Sequence, residues 1–303
     1  MTDTPRPKRC ANEISVILRT VFGTDRFPVN VREVAREISA QKFPDDPLTM
    51  IQGGDLPGFE GALMPAPSGK KGWGILYNNS QSPGRINFTL GHEFGHYLLH
   101  RLRFPDGFQC STEDMASWES EYGQLEHQAN EFAATLLMPL DDFRAQVTAT
   151  QRPDFDVIGG CAERYDVSLI AATLRWLQFT TRPSMLVVSR DGFILWARSS
   201  TAALKSGLYF KTSGRPPIEV PEKSLAGQRG QICDPRATVR HDAPLWLKEP
   251  CQEHVLFSDQ YNFTLSLLHF GDAPCWGAAI DEEPTEDTFD RMQRETPSSI
   301  LSG

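Results

Sequence analysis

The sequence predicts an α+β protein, and three observations carry that prediction. A helical stretch in the first half holds His92 and His96 four residues apart, with Glu93 between them. A second helical stretch over 125–137 follows at short range. From Ser184 onward the texture changes to short apolar runs broken by turn residues, the pattern of a mixed sheet. At 303 residues the chain is long enough for about two domains with substantial cores. We divide it into an N-terminal domain over 1–145, a helical linker over 146–182, a mixed-sheet domain over 183–280 and an acidic tail over 281–303.

Residues 1–10 carry several charges and no apolar core, so they read as a loose arm and not as a secretory leader. Ile14, Ile17, Leu18 and Val21 recur at helical spacing, and Gly23 closes that helix. Asn30 followed by Glu33 forms a helix-start box, which Val31, Val34, Ala35 and Ile38 continue. Pro44 to Gly54 reads as a loop. Gly58 to Met64 and Trp73 to Asn78 read as strands separated by a Pro/Gly/Lys turn. The Trp73–Tyr77 run is expected to offer a sheet edge to an extended peptide.

Leu90, Phe94, Tyr97 and Leu98 place the next helix, and no proline interrupts it between Gly84 and Pro105. Positions i and i+4 lie on one helix face, so His92 and His96 can grip one Zn²⁺ while Glu93 stands beside it to handle a water. The chemistry this implies is metal-assisted hydrolysis. The alternative is a core helix that happens to carry two histidines. A catalytic zinc needs a third protein ligand from another element. Leu125, Ala129, Phe132, Ala133, Leu136 and Leu137 define the second helix, which Pro139 ends. Glu126, Ala129, Asn130 and Ala133 share a face; the alanines permit close approach, Glu126 is the favoured third ligand, and Asn130 is placed to hold a ligand histidine by its second nitrogen. Glu131 and His127 are the alternatives and point elsewhere around the helix. His100, one turn after His96, reads as packing or outer support.

Between the two helices, Arg101 to Gly123 is polar and turn-rich and reads as a loop over the cleft. Cys110 lies in it. A thiolate there is a candidate fourth zinc ligand that would hold the site inactive; the alternative is a loop cysteine with no role. Beyond Pro139, Ile158 to Tyr165 and Ser168 to Phe179 read as two helices joined by a tight turn, with Ser168 as cap. The spacing is helix-turn-helix-like, but only Thr173 and Arg175 offer base-reading side chains, which favours a packing or linker role. Met185 to Ser189, Asp191-Gly192 and Phe193 to Trp196 read as a hairpin. Further strands are expected at Leu208–Lys211, Leu245–Leu247, His254–Phe257 and Phe263–Phe270. The tail from Asp281 is acidic and rich in Ser and Pro, the composition of a disordered segment.

The net charge of −9 argues against a general nucleic-acid coat. Residues 175–240 nevertheless carry 11 Lys+Arg against 4 Asp+Glu, a local +7. Trp176, Phe179, Phe193, Trp196, Tyr209 and Phe210 are interleaved with those charges. Basic side chains among stacking platforms suit single-stranded nucleic acid, with Arg190, Arg198 and Lys205 as candidate contacts; the alternative is aromatics in a core under a solvated face. The six cysteines lack CxxC spacing and are expected as free thiols, and no run reaches membrane-spanning length.

The run from Arg85 to His100, Arg-Ile-Asn-Phe-Thr-Leu-Gly-His-Glu-Phe-Gly-His-Tyr-Leu-Leu-His, followed by Glu126-x-x-Ala-Asn-x-Phe-Ala-Ala-x-Leu-Leu-Met-Pro139, resembles the ImmA/IrrE metallopeptidases. Phe27-Pro-Val-Asn-Val-Arg-Glu-Val-Ala35, Gly58-Phe-Glu-Gly-Ala62 and Gly74-Ile-Leu-Tyr-Asn78 add to the likeness, which covers roughly residues 10 to 145. The resemblance implies a zincin-like N-terminal domain and a GAF-like sensory C-terminal domain. It also implies a cytoplasmic Zn²⁺ endopeptidase that cleaves a helix-turn-helix repressor to release a stress, DNA-damage or phage-defence operon. His92, His96 and Glu126 would hold the metal and Glu93 would move protons. The trigger is expected to act through the C-terminal domain, with single-stranded DNA or a small molecule as activator and no membrane partner. The rival readings are a non-proteolytic scaffold or antitoxin-like binding protein, and a regulator that binds DNA directly through residues 158–179.

Overall fold

The computed structural model describes residues 6–56, 59–111, 121–212, 216–232, 234–242, 245–258 and 262–271. The chain forms two units, residues 1–143 with 160–171, and residues 144–159 with 172–303.

In the first unit, helix α1 (Pro7–Phe22) starts at Pro7, within the stretch over residues 1–10 expected as a loose arm. Proline is tolerated at a helix's first turn, where its missing N–H would have no partner, so Pro7 opens the helix. Ala11, Ile14 and Leu18 point inward. Helix α2 (Val31–Lys42) begins at Asn30, whose Oδ1 accepts the Glu33 N–H at 3.3 Å while its amide donates to Glu33 Oε2 at 3.1 Å. Strand β1 (Leu48–Gly54) lies where a loop was expected. Only Leu48 and Ile51 of that strand are buried, so it lacks the two-residue period of a half-buried strand. Pairing with a distant partner makes it a strand: it runs parallel to β3 (Trp73–Asn78). At Gly53 a Cβ would fall 2.6 Å from the Tyr77 ring, so only glycine allows the ring to cross there.

Strand β2 (Phe59–Pro65) pairs antiparallel with β3 and with β4 (Phe108–Ser111), giving the order β1-β3-β2-β4. The expectation that Trp73–Tyr77 offers a free edge is therefore corrected. Strand β3 has β1 on one side and β2 on the other, so its backbone groups are already paired. Against this sheet lies α3 (Pro83–Leu99), and α4 (Glu121–Leu137) packs on α3.

Helices α5 (Leu140–Gln146), α6 (Phe155–Tyr165) and α7 (Leu169–Leu177) follow. Asp166 turns the chain with φ 48°, and Ser168 Oγ accepts the Ala171 N–H at 3.1 Å. Thr173 and Arg175 are buried, and Arg175 donates to Gln178 Oε1 at 2.9 Å. Neither side chain is available to read a base edge.

The second unit is built on an antiparallel sheet of order β7-β6-β5-β10-β9-β8. Strands β5 (Ser184–Arg190) and β6 (Phe193–Ser199) form the expected hairpin. Asp191 (φ 51°) and Gly192 (φ 79°) both take the left-handed conformation that a tight two-residue turn needs. Helix α8 (Thr201–Lys205) follows, and then β7 (Ile218–Glu219), β8 (Thr238–His241), β9 (Cys251–Ser258) and β10 (Phe263–Phe270). Leu208–Lys211 and Leu245–Leu247 are not strands. Their apolar residues serve as plugs: Leu208 and Trp246 join Met185, Val187, Leu268 and Phe270 in the core, and Phe210, Leu245 and Leu247 pack against it.

A fully buried carboxylate organises this unit. Glu253 Oε2 accepts from the Leu225 N–H at 3.0 Å, His241 Nε2 at 2.6 Å and the Trp246 indole N–H at 3.1 Å. Its Oε1 accepts from the Ala226 N–H and from Ser266 Oγ, each at 3.2 Å. One side chain thus ties two loops to three strands. Cys10, Cys161 and Cys251 are free thiols. Among the described residues no helix is long and apolar enough to cross a membrane. The tail over 281–303 lies outside the described residues.

Candidate metal centre

Helices α3 and α4 meet through small residues. A Cβ at Gly91 would sit 3.3 Å from Ala133 Cβ, and one at Gly95 would sit 3.1 Å from Phe132 and 3.2 Å from the Ala129 Cα. This close approach lets Glu126 of α4 reach two histidines of α3. Its Oε2 lies 3.1 Å from His92 Nε2 and its Oε1 3.3 Å from His96 Nε2, while the two Nε2 atoms are 2.9 Å apart. Three donor atoms within 4.8 Å of one another form a group able to hold a metal ion, and all three residues are buried. Two imidazoles and one carboxylate are a donor set that suits Zn²⁺ with a position left for water. The residues fit the metal that the motif implies.

The imidazoles are aimed by their other nitrogens. His92 Nδ1 donates to Asn130 Oδ1 at 2.9 Å, a contact that turns Nε2 toward Glu126 and His96. His96 Nδ1 lies 3.0 Å from His100 Nδ1, and His100 Nε2 lies 3.1 Å from Gln128 Oε1. Burial pulls the His96 pKa down to about 3, against the bond to Glu126, so the ring is neutral as a ligand must be. Burial alone would raise the Glu126 pKa, but its bonds to His92 and His96 hold it well below the usual carboxylate range. Burial also opposes charge on His92, yet Glu126 and the nearby Glu93 outweigh it and raise that pKa.

Glu93 is fully buried under β2. At Gly61 of β2 a Cβ would stand 2.8 Å from Glu93 Oε1 and 2.7 Å from Thr89 Cγ2. The missing side chain is what lets the strand lie directly over the carboxylate. Gly61→Ala is expected to displace Glu93 and to slow any hydrolysis by about 100-fold, the scale of a misplacement near 1 Å, with metal content unchanged. Metal analysis alongside initial rates checks this.

Cys110 lies in the edge strand β4, with its Cα in register with Gly61, and not in an open loop. Its side chain, and with it the candidate fourth-ligand role, lies outside the described residues. Arg190, Phe193, Trp196 and Arg198 share one face of the second unit's sheet, because Phe193 pairs with Arg190, Trp196 with Val188 and Arg198 with Leu186. Phe193 is exposed, Trp196 and Arg198 are half-exposed, and exposed Arg190 donates to the Asn262 carbonyl at 3.1 Å. Lys205 does not join them. It sits on α8, whose Ala203 packs with Met185 and Val187, on the opposite face. Trp176 is fully buried with the His269 ring edge-on and is no stacking platform. Gln128 escaped the sequence reading because two residues of separation place it away from Glu126 around the helix.

No curated protein compared with the chain matches it. Among the solved structures similar to the chain is a Mycobacterium tuberculosis transcriptional regulator, at 16% identity with a TM-score of 0.52, over 93% of this chain and 88% of that one. At that identity the likeness concerns the fold. Residues 51–177, which hold both the histidine-bearing helix and the glutamate-bearing helix, match the Peptidase_M78 family, the IrrE N-terminal-like domain.

Proposed function

We propose that the chain is a zinc-dependent endopeptidase that cleaves a helix-turn-helix repressor in the cytoplasm and so releases a stress or defence operon. The observation that carries this reading is the meeting of His92, His96 and Glu126 beside buried Glu93 within an IrrE-like domain. Zn²⁺ held there would polarise the scissile carbonyl and acidify a water. Glu93 takes the proton of the attacking water and returns it to the departing amine, while Asn130 keeps His92 turned toward the site. The intact Glu93 favours this over a silent scaffold. The test is incubation of the purified chain with the small helix-turn-helix proteins of the same genome. A single cut that disappears with chelator and returns with Zn²⁺ supports the reading; no cut with zinc present overturns it.

The second unit is the proposed sensor. Its antiparallel sheet, with the unit's first strand β5 beside its last, β10, supports a GAF-like reading. Single-stranded DNA is the leading trigger, because Arg190, Phe193, Trp196 and Arg198 put basic and aromatic side chains on one face of the sheet. Arg190→Glu and Arg198→Glu are expected to reduce stimulation of cleavage, and Lys205→Glu to change it much less. The effect should shrink steeply as salt rises, since phosphate contacts release counterions. Equal cleavage rates with single-stranded DNA, duplex and no DNA would instead favour a small-molecule ligand.

A further inference from the structure

His96 is held differently from its partner ligand. His92 donates straight to an amide, whereas His96 is linked to an amide through a second histidine. The chain runs from His96 Nδ1 to His100 Nδ1 at 3.0 Å and from His100 Nε2 to Gln128 Oε1 at 3.1 Å. His96 and His100 are buried, and Gln128 stands at the partly exposed end. A carbonyl oxygen only accepts, so Gln128 Oε1 requires a proton on His100 Nε2. A neutral His100 then has its lone pair at Nδ1 and accepts the His96 Nδ1 proton. With an ion in place of the Glu126 contact, His96 would be left with its lone pair at Nε2, the atom that faces Glu126 and His92. The opposite register, with the Gln128 NH₂ group donating, would run every proton the other way. It would put N–H on His96 Nε2, where a proton blocks ligation.

We propose that His100 and Gln128 are positioning residues that fix the ligating tautomer of His96, with the Gln128 carbonyl setting the direction of the whole chain. The inference rests on the zinc reading above. Helix α4 then serves both imidazoles, through Asn130 for His92 and through Gln128 and His100 for His96.

The test measures affinity of the full-length apo-protein for Co²⁺ and Zn²⁺, by visible absorption and by chelator competition, with the thermal melt of each metal-free variant alongside. Loss of an outer-sphere partner of a ligand histidine weakens metal binding by about 10- to 100-fold, and His100→Ala is expected to fall in that range. Because His100 is buried, the partly exposed Gln128 supplies the decisive pair. Gln128→Leu should weaken binding with an unchanged metal-free melt, whereas Gln128→Glu, which can only accept, should bind as tightly as the wild type or tighter. A structural role alone would not separate leucine from glutamate in this way. Equal affinity in wild type, Gln128→Leu and His100→Ala, or equal weakening in both Gln128 variants, overturns the inference and leaves the zinc reading standing. Failure of the wild type to take up either metal overturns both.

Discussion

A Glu93→Gln protein is expected to keep one metal ion per chain and to lose cleavage by at least about 100-fold, up to about 10⁴-fold, the range over which a positioned proton carrier accelerates a reaction. The amide keeps the shape of the carboxylate under Gly61 but cannot take a proton from water. Glu126→Ala is expected to show the reverse order of events, with metal lost first and cleavage lost as a consequence. His92 and His96 alone leave the carboxylate third of the donor set unfilled. Metal analysis of the two variants after gel filtration separates them. Full zinc occupancy in Glu126→Ala would show that another residue is the third ligand.

The second large effect concerns stability. Glu253→Ala removes the acceptor of five donors at once, namely His241, Trp246, Ser266 and the backbone N–H groups of Leu225 and Ala226. A buried donor left without a partner costs about 1–3 kcal/mol. The unit is therefore expected to lose about 4 kcal/mol or more, at the upper end of what single substitutions do. Chemical denaturation of the full chain, followed by circular dichroism beside the wild type, checks this. Zinc uptake by the first unit is expected to be unchanged. A loss below about 1 kcal/mol in Glu253→Ala would mean that water or the loops themselves re-pair these donors.

What could be read from the chain alone follows a physical division. The centre was legible because its chemistry is local: i,i+4 spacing puts His92 and His96 on one face, and the same spacing links Glu126 to Asn130. The Asn30 start box and the Asp191-Gly192 turn were legible because one or two residues decide them. Strand β1 was not, since its identity comes from a parallel partner some 25 residues away and not from its own periodicity. The interior position of Trp73–Tyr77 belongs to strand order, which no window of residues contains. Trp176 and Trp196 are both tryptophans among arginines, and only packing makes one a core residue and leaves the other half-buried. Gln128 became visible only once the His96–His100 contact was known.

The glycine and alanine contacts between α3 and α4 bear on the entropy of loading the site. Gly91 and Gly95 let α3 approach Ala133 and Ala129 closely, with the Phe132 and Leu137 side chains packed against them, so the helices that carry the donors are held tightly together. The rotamers of His92, His96 and Glu126 are already confined by burial and by mutual contact. Ordering a long side chain on binding costs about 0.5–1.5 kcal/mol, and here folding has largely met that cost beforehand. An ion entering the site should find a rigid receptor. Uptake should be governed by dehydration of the ion and release of protons, with little further gain in amide-exchange protection along either helix.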